Sequence, residues 1–253
     1  MIDLSNENTW PKEILEMLRD RVAQTREEKK AELAAHLDGS YLFNPPQTPV
    51  YNQTQNQLEL LLREHKVRAF HCTKLANFNE VYQSGLVVLR PEFIKRIVLT
   101  ELRKKGLNSA LIRKAEEAFD RFLSRKDFDS RGGMVWFVLT EKMTDDYGCE
   151  DFFRYFGGEV TRRALEDLKD KIFPVLEEIG VPAVVECSIP IAYGADHQLS
   201  NMAKEFIKYG EEKFLDGRHY DMQCEMKIEY IVDSTKILSI WEKNVVCKVP
   251  TLE

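Results

Sequence analysis

A chain of 253 residues, 43% hydrophobic and 31% charged, has enough apolar material for one substantial core. No stretch approaches the ~20 apolar residues of a membrane helix, and the opening MIDLSNENTWPKEI lacks the basic and apolar regions of a signal peptide, so a cytoplasmic protein with no membrane partner is expected. The formal net charge of -6 argues against a surface that holds nucleic acid everywhere, because phosphate contacts need clustered Lys and Arg. Cys72, Cys149, Cys187, Cys224 and Cys247 are odd in number, far apart and never in Cys-x-x-Cys spacing. They read as reduced, mostly buried thiols, with neither a disulfide framework nor a zinc ribbon.

The first element is an amphipathic helix, KEILEMLRDRVAQTREEKKAELAAHL, with Pro11 at its first position and Ile14, Leu15, Leu18 and Val22 on its apolar face. Pro45, Pro46 and Pro49 then interrupt helical structure between Asp38 and Tyr51, which makes this the best linker in the chain. The expected division is a helical extension with its linker over 1–50 and a catalytic domain over 51–253. Asn52 or Thr54 caps a second helix, QNQLELLLREHK, which leads into a short strand at Val67, Ala69 and Phe70. That strand ends at a polar junction holding His71 and Thr73, and the helical spacing of Asn77, Phe78, Val81 and Tyr82 follows, closing at Gly85.

An extended VVLRPEF precedes two helices, IKRIVLTELRKK and SALIRKAEEAFDRFLS, the second capped by Ser109. Gly132-Gly133 turns the chain into MVWFVLT, a central strand by its β-branched and aromatic content. After the aromatic segment DDYGCEDFFRYF and Gly157-Gly158 comes one long helix, EVTRRALEDLKDKIFPVLEEI, then a strand, AVVECSIPI. Asp196 caps HQLSNMAKEFIKYGEEKFL, Asp216-Gly217 turns the chain, and YDMQCEMKIEYIV, KILSIWE and NVVCKVP make the end rich in strands. Between Lys95 and Arg131 basic residues outweigh acidic ones; a solvated helical face of mixed charge is the plainer reading, a docking face for nucleic acid the sharper one.

Three segments carry a family resemblance. His71-Cys72-Thr73 at a strand end, followed by a helix closing in Ser84-Gly85-Leu86, resembles the first motif of the ADP-ribosyltransferase fold. Gly133-Met134-Val135-Trp136-Phe137 is similar to that family's glycine-x-aromatic strand, with Trp136 or Phe137 where many members have tyrosine. Gln223-Cys224-Glu225 resembles the Gln-x-Glu that opens the last catalytic strand, and the ending DSTKILSIW is similar to DNA-modifying toxins of the DarT type. The resemblance spans roughly Val67 to Trp241. It implies an α+β fold of split, mixed or antiparallel sheets with surrounding helices and NAD, as co-substrate, in the cleft between two packed sheets.

The same resemblance assigns His71, Cys72, Thr73, Trp136, Phe137 and Gln223 to NAD binding, with Tyr147 or Tyr155 to stack on nicotinamide, and Glu225 with His71 to catalysis. It implies a macromolecular acceptor, DNA, RNA or protein, a role as toxin, effector or defence protein, and an antitoxin or regulator on the N-terminal helix. The relative with RNA 2′-phosphotransferase activity would use Arg68 and Lys74, and a catalytically inactive interaction module on the same fold is the reading from another class. Plainer roles stand beside each assignment: a half-buried His71 satisfied by backbone, a core Trp136, and Glu225 as a solvated strand residue. His65, His71 and Cys72 lack the further ligands of a tetrahedral metal site. Cys72 and His71, adjacent in a strand, point to opposite faces and make no nucleophile–base pair.

Overall fold

The computed structural model describes residues 1–42, 45–124 and 132–244, the side chains of Ser40 and Tyr147 excepted. The chain is α+β. Its contacts divide it into two compact units, Met1–Ala69 with Val138–Thr140 and Ser188–Met226, and Phe70–Phe137 with Glu141–Cys187 and Lys227–Glu253.

In the first unit, α1 (Lys12–Leu37), α2 (Pro49–Arg63) and α9 (Asp196–Gly210) pack on one another. Ile14, Leu18 and Val22 recur at the spacing that keeps one helix face inward, and all three are fully buried with Leu58, Leu62 and Phe206. Gly210 lets α9 approach α1: a Cβ there would lie 2.7 Å from a methyl of Val22. Trp10 covers one end of this core, 4.5 Å from the Phe206 ring and 4.6 Å from Tyr209, its indole N–H donating to the Asp3 carbonyl at 2.8 Å. α1 starts one residue later than expected, with Pro11 as the cap. α2 starts earlier, at Pro49, and neither Asn52 nor Thr54 caps it. The Glu28 carboxylate of α1 accepts from the backbone N–H groups of Val50 and Tyr51 at 3.2 and 2.8 Å, which satisfies two orphan donors and places a negative charge at the positive helix end.

In the second unit, α4 (Pro91–Lys104), α5 (Ser109–Leu123), α7 (Gly158–Ala164) and α8 (Lys169–Glu178) share a hydrophobic cluster in which Val98, Leu102, Ala115, Phe119, Leu165, Ile172 and Leu176 are fully buried. Asn108 caps α5, accepting from the Leu111 N–H at 2.9 Å, so Ser109 is its first residue. The long helix expected after Gly158 is two helices, α7 and α8, separated by a 3-10 turn at Glu166–Leu168, and Pro174 lies inside α8. The end of α8 is closed by Lys74, a buried lysine whose Nζ donates to the carbonyls of Leu176 at 3.3 Å and of Glu177, and to that of Arg154, the last residue of α6 (Glu150–Arg154), at 3.2 Å. A cation there meets the negative end of two helices. The short α3 (Phe78–Ser84) ends at Gly85, whose φ of 74° and close approach to Val232 exclude a side chain.

The strands among the described residues form one five-stranded sheet in the order β4 (Glu225–Ile228), β2 (Val135–Val138), β1 (Lys66–Leu75), β3 (Val181–Pro190), β5 (Ile237–Glu242). This differs from the two packed sheets that the resemblance implies. β3 and β5 pair antiparallel from Ala183↔Glu242 to Glu186↔Ser239, and the register then slips to Cys187↔Ile237, so Leu238 is an extra residue in the edge strand. NVVCKVP, with Cys247, lies outside the described residues apart from its first residue, as do residues 125–131 of the basic stretch. Among the described residues no helix is long and apolar enough to cross a membrane.

Candidate functional site

In β1 the even positions Phe70, Cys72 and Lys74 are buried, while His71 and Thr73 on the other face are half-buried. The strand's twofold alternation produces this split and holds His71 and Thr73 on the more open side. His71 Nδ1 lies 2.9 Å from the carbonyl oxygen of Trp136. A carbonyl only accepts, so Nδ1 carries the proton and Nε2 of the neutral ring is left as an acceptor. Burial pushes the His71 pKa below its usual value, and the bond to the Trp136 carbonyl opposes that shift. Phe137 packs its ring against the imidazole, edge to face, at 5.9 Å between centroids.

Trp136 and Phe137 are neighbours in β2 and so face opposite ways. Phe137 shares the side of His71; over the Trp136 ring stands instead the Lys227 ammonium, 5.6 Å from its centroid. A lysine cation in that position competes with the nicotinamide ring of NAD, itself a cation, for the same π face. Tyr155 is buried in the helical cluster, 4.8 Å from the Phe173 ring. Tyr147 begins the 3-10 turn Tyr147–Cys149, and its side chain is outside the described residues. The Cys72 thiol, hydrogen-bonded to Cys149 and removed from water, has its pKa driven far up and stays protonated; Cys149 in turn donates to the Met143 carbonyl at 3.4 Å. Cys72 is therefore a packing thiol.

Gln223 and Glu225 belong to the first unit. Glu225 opens β4 with an exposed side chain, and Lys227 stands on the same face of that strand, while Met226 and Ile228 are buried on the other. The segment before it has no regular structure after the π-helical stretch Glu211–Leu215 that continues α9. Asp216 is held by both guanidinium nitrogens of Arg26 at 2.7 Å each, and the Gln223 N–H and the Tyr220 hydroxyl donate to Glu205 Oε2 of α9 at 3.0 and 2.8 Å. Lys208 caps the Tyr220 ring at 4.7 Å. The Cys224 carbonyl accepts from the Leu139 N–H at 2.9 Å.

The structure thus brings His71, Trp136 and Phe137 together, adds Lys227, and places Tyr155 elsewhere in the second unit. Lys227 was legible in one respect only, as the residue two along from Glu225 in an alternating strand. The two basic residues suited to a 2′-phosphate are both occupied: Arg68 pairs with Asp3 at 2.9 Å, and Lys74 is spent on helix carbonyls. In the basic stretch Lys95 pairs with Asp120 and Glu116, Lys104 with Glu101, Lys105 with Glu178, and Arg121 with Asp167. A cavity of about 470 Å³ in the second unit, lined by Asn108, Leu111, Lys114, Asp167, Asp170 and Lys171, contains none of the anticipated site residues. Comparison with family models, with curated proteins and with solved structures returns no match.

Proposed function

We propose that the chain is a mono-ADP-ribosyltransferase that consumes NAD, acting in the cytoplasm on a macromolecule as toxin, effector or defence protein. The observation that carries the reading is the state of His71: a neutral imidazole, fixed at Nδ1 by the Trp136 carbonyl, whose Nε2 can accept from a ribose hydroxyl. Thr73, two residues on in the same strand, offers a hydroxyl on the same side. Glu225 enters through its Gln-x-Glu motif. In the reaction the bond from C1′ of the ribose to the nicotinamide nitrogen breaks, its electron pair leaving with nicotinamide. The Glu225 carboxylate stabilises the cation that develops at C1′ and takes the proton of the acceptor nucleophile as the new bond forms.

The experiment is release of nicotinamide from labelled NAD, with and without cell extract. Release, with label passing to a macromolecule, supports the enzyme. A second reading, an inactive interaction module, is favoured by the occupied aromatics: Lys227 lies over Trp136 and Tyr155 packs on Phe173. Silence in the same assay supports the module.

A further inference from the structure

We infer that Glu205 is a positioning residue for Glu225, holding the irregular segment that delivers it to the start of β4. The inference rests on the reading of Glu225 as catalytic. A carboxylate that must sit within about 0.5 Å of its working place cannot be carried on a loose loop. Here the approach, Asp216 to Cys224, has no ladder of its own, yet it is fastened at intervals. Arg26 grips Asp216, and Arg218 donates its backbone N–H to the Glu212 carbonyl at 2.8 Å. Beside Glu225 the Cys224 carbonyl accepts from the Leu139 N–H at 2.9 Å, and just before it one oxygen of Glu205 receives both the Tyr220 hydroxyl and the Gln223 N–H. Met222, between Tyr220 and Gln223, and Cys224, just after Gln223, are buried, so apolar side chains add to the polar bonds at the end of the segment that meets β4. Glu205 is half-buried on α9, whose Phe206 and Ile207 are in the core, and it is therefore presented by a rigid element.

Because both donors meet the same oxygen, an amide can replace the carboxylate. Glu205→Gln retains one carbonyl oxygen able to accept from both, whereas Glu205→Ala removes the acceptor altogether. The expected result in nicotinamide release is a fall in kcat on the order of 10- to 100-fold for Glu205→Ala, with KM for NAD within about twofold. Glu205→Gln recovers most of the activity, and Tyr220→Phe, which removes one of the two donors, lies between. Amide hydrogen exchange over residues 219–224 should quicken in Glu205→Ala and not in Glu205→Gln, with the rest of α9 unchanged. Unaltered kcat in a folded Glu205→Ala, or Glu205→Gln as damaging as Glu205→Ala, overturns the inference. If the wild type releases no nicotinamide, the functional reading fails and the catalytic consequence with it, while the exchange measurement still decides whether Glu205 holds the segment: faster exchange in Glu205→Ala upholds the brace, and unchanged exchange refutes it.

Discussion

The His71 imidazole donates from Nδ1 to the main-chain carbonyl of Trp136, so a residue of β2 sets the tautomer of a residue of β1. Because burial holds the His71 pKa below its ordinary value, the ring stays neutral where an exposed histidine has begun to charge. The unfolded chain protonates near the usual pKa of about 6.5 and the folded one at lower pH. The stability that His71 contributes is therefore present above about pH 6.5 and is lost as pH falls from there toward the folded value. Proton NMR of the ring should find it titrating below the ordinary histidine value, and denaturant midpoints should fall less between pH 7.5 and 5.5 in His71→Gln than in the wild type.

Lys74→Met keeps the aliphatic length and removes the ammonium that closes α8 and α6. Buried carbonyls then lose their donor, at a cost of about 1–3 kcal/mol. The urea midpoint should fall with no change in slope. An unchanged midpoint would show that water replaces the lysine there.

Gly85→Ala combines a backbone that side chains rarely adopt with a Cβ placed 1.9 Å from the Val232 carbonyl oxygen. The cost is expected to be at least about 2 kcal/mol, read as a lowered melting temperature. Gly106→Ala, also at positive φ but with nothing within 4 Å, should cost less.

Arg26 and Arg218 hold the Asp216 carboxyl well below the usual carboxylate range. A depressed carboxylate stabilises above its unfolded pKa of about 4 and loses that contribution as pH falls below it. Asp216→Asn should lower the melting temperature at pH 7, less so at high salt, and the gap from the wild type should close toward pH 3.

Much of the fold is legible in the sequence where a periodic pattern meets a local stop. α1 and α9 follow their apolar spacing, and β2 and β3 follow their β-branched runs. What the sequence hides is tertiary. α2 begins at Pro49 because Glu28, twenty-one residues upstream on another helix, caps it, and nothing near Pro49 announces that partner. Lys74 reads as a basic residue near His71 that could serve a 2′-phosphotransferase and proves to be a buried helix cap. At the candidate site the neighbouring aromatic strand is readable from a short motif, and the strand of His71 is readable in place but not in length: it runs on to Leu75, so His71 and Thr73 lie within it and not at a polar junction at its end. The roles of Lys227 and Glu205 are not readable, since each depends on which side chain a folded neighbour presents.

His71 and Glu225 divide the proposed reaction between binding and chemistry. Nicotinamide release from labelled NAD, measured for the wild type, His71→Ala and Glu225→Gln alongside direct NAD binding, tests this most directly. The expected result is release by the wild type, NAD binding weakened most in His71→Ala, and near-normal binding with kcat lowered on the order of 100-fold or more in Glu225→Gln. No release by the wild type, or turnover intact in Glu225→Gln, would contradict it.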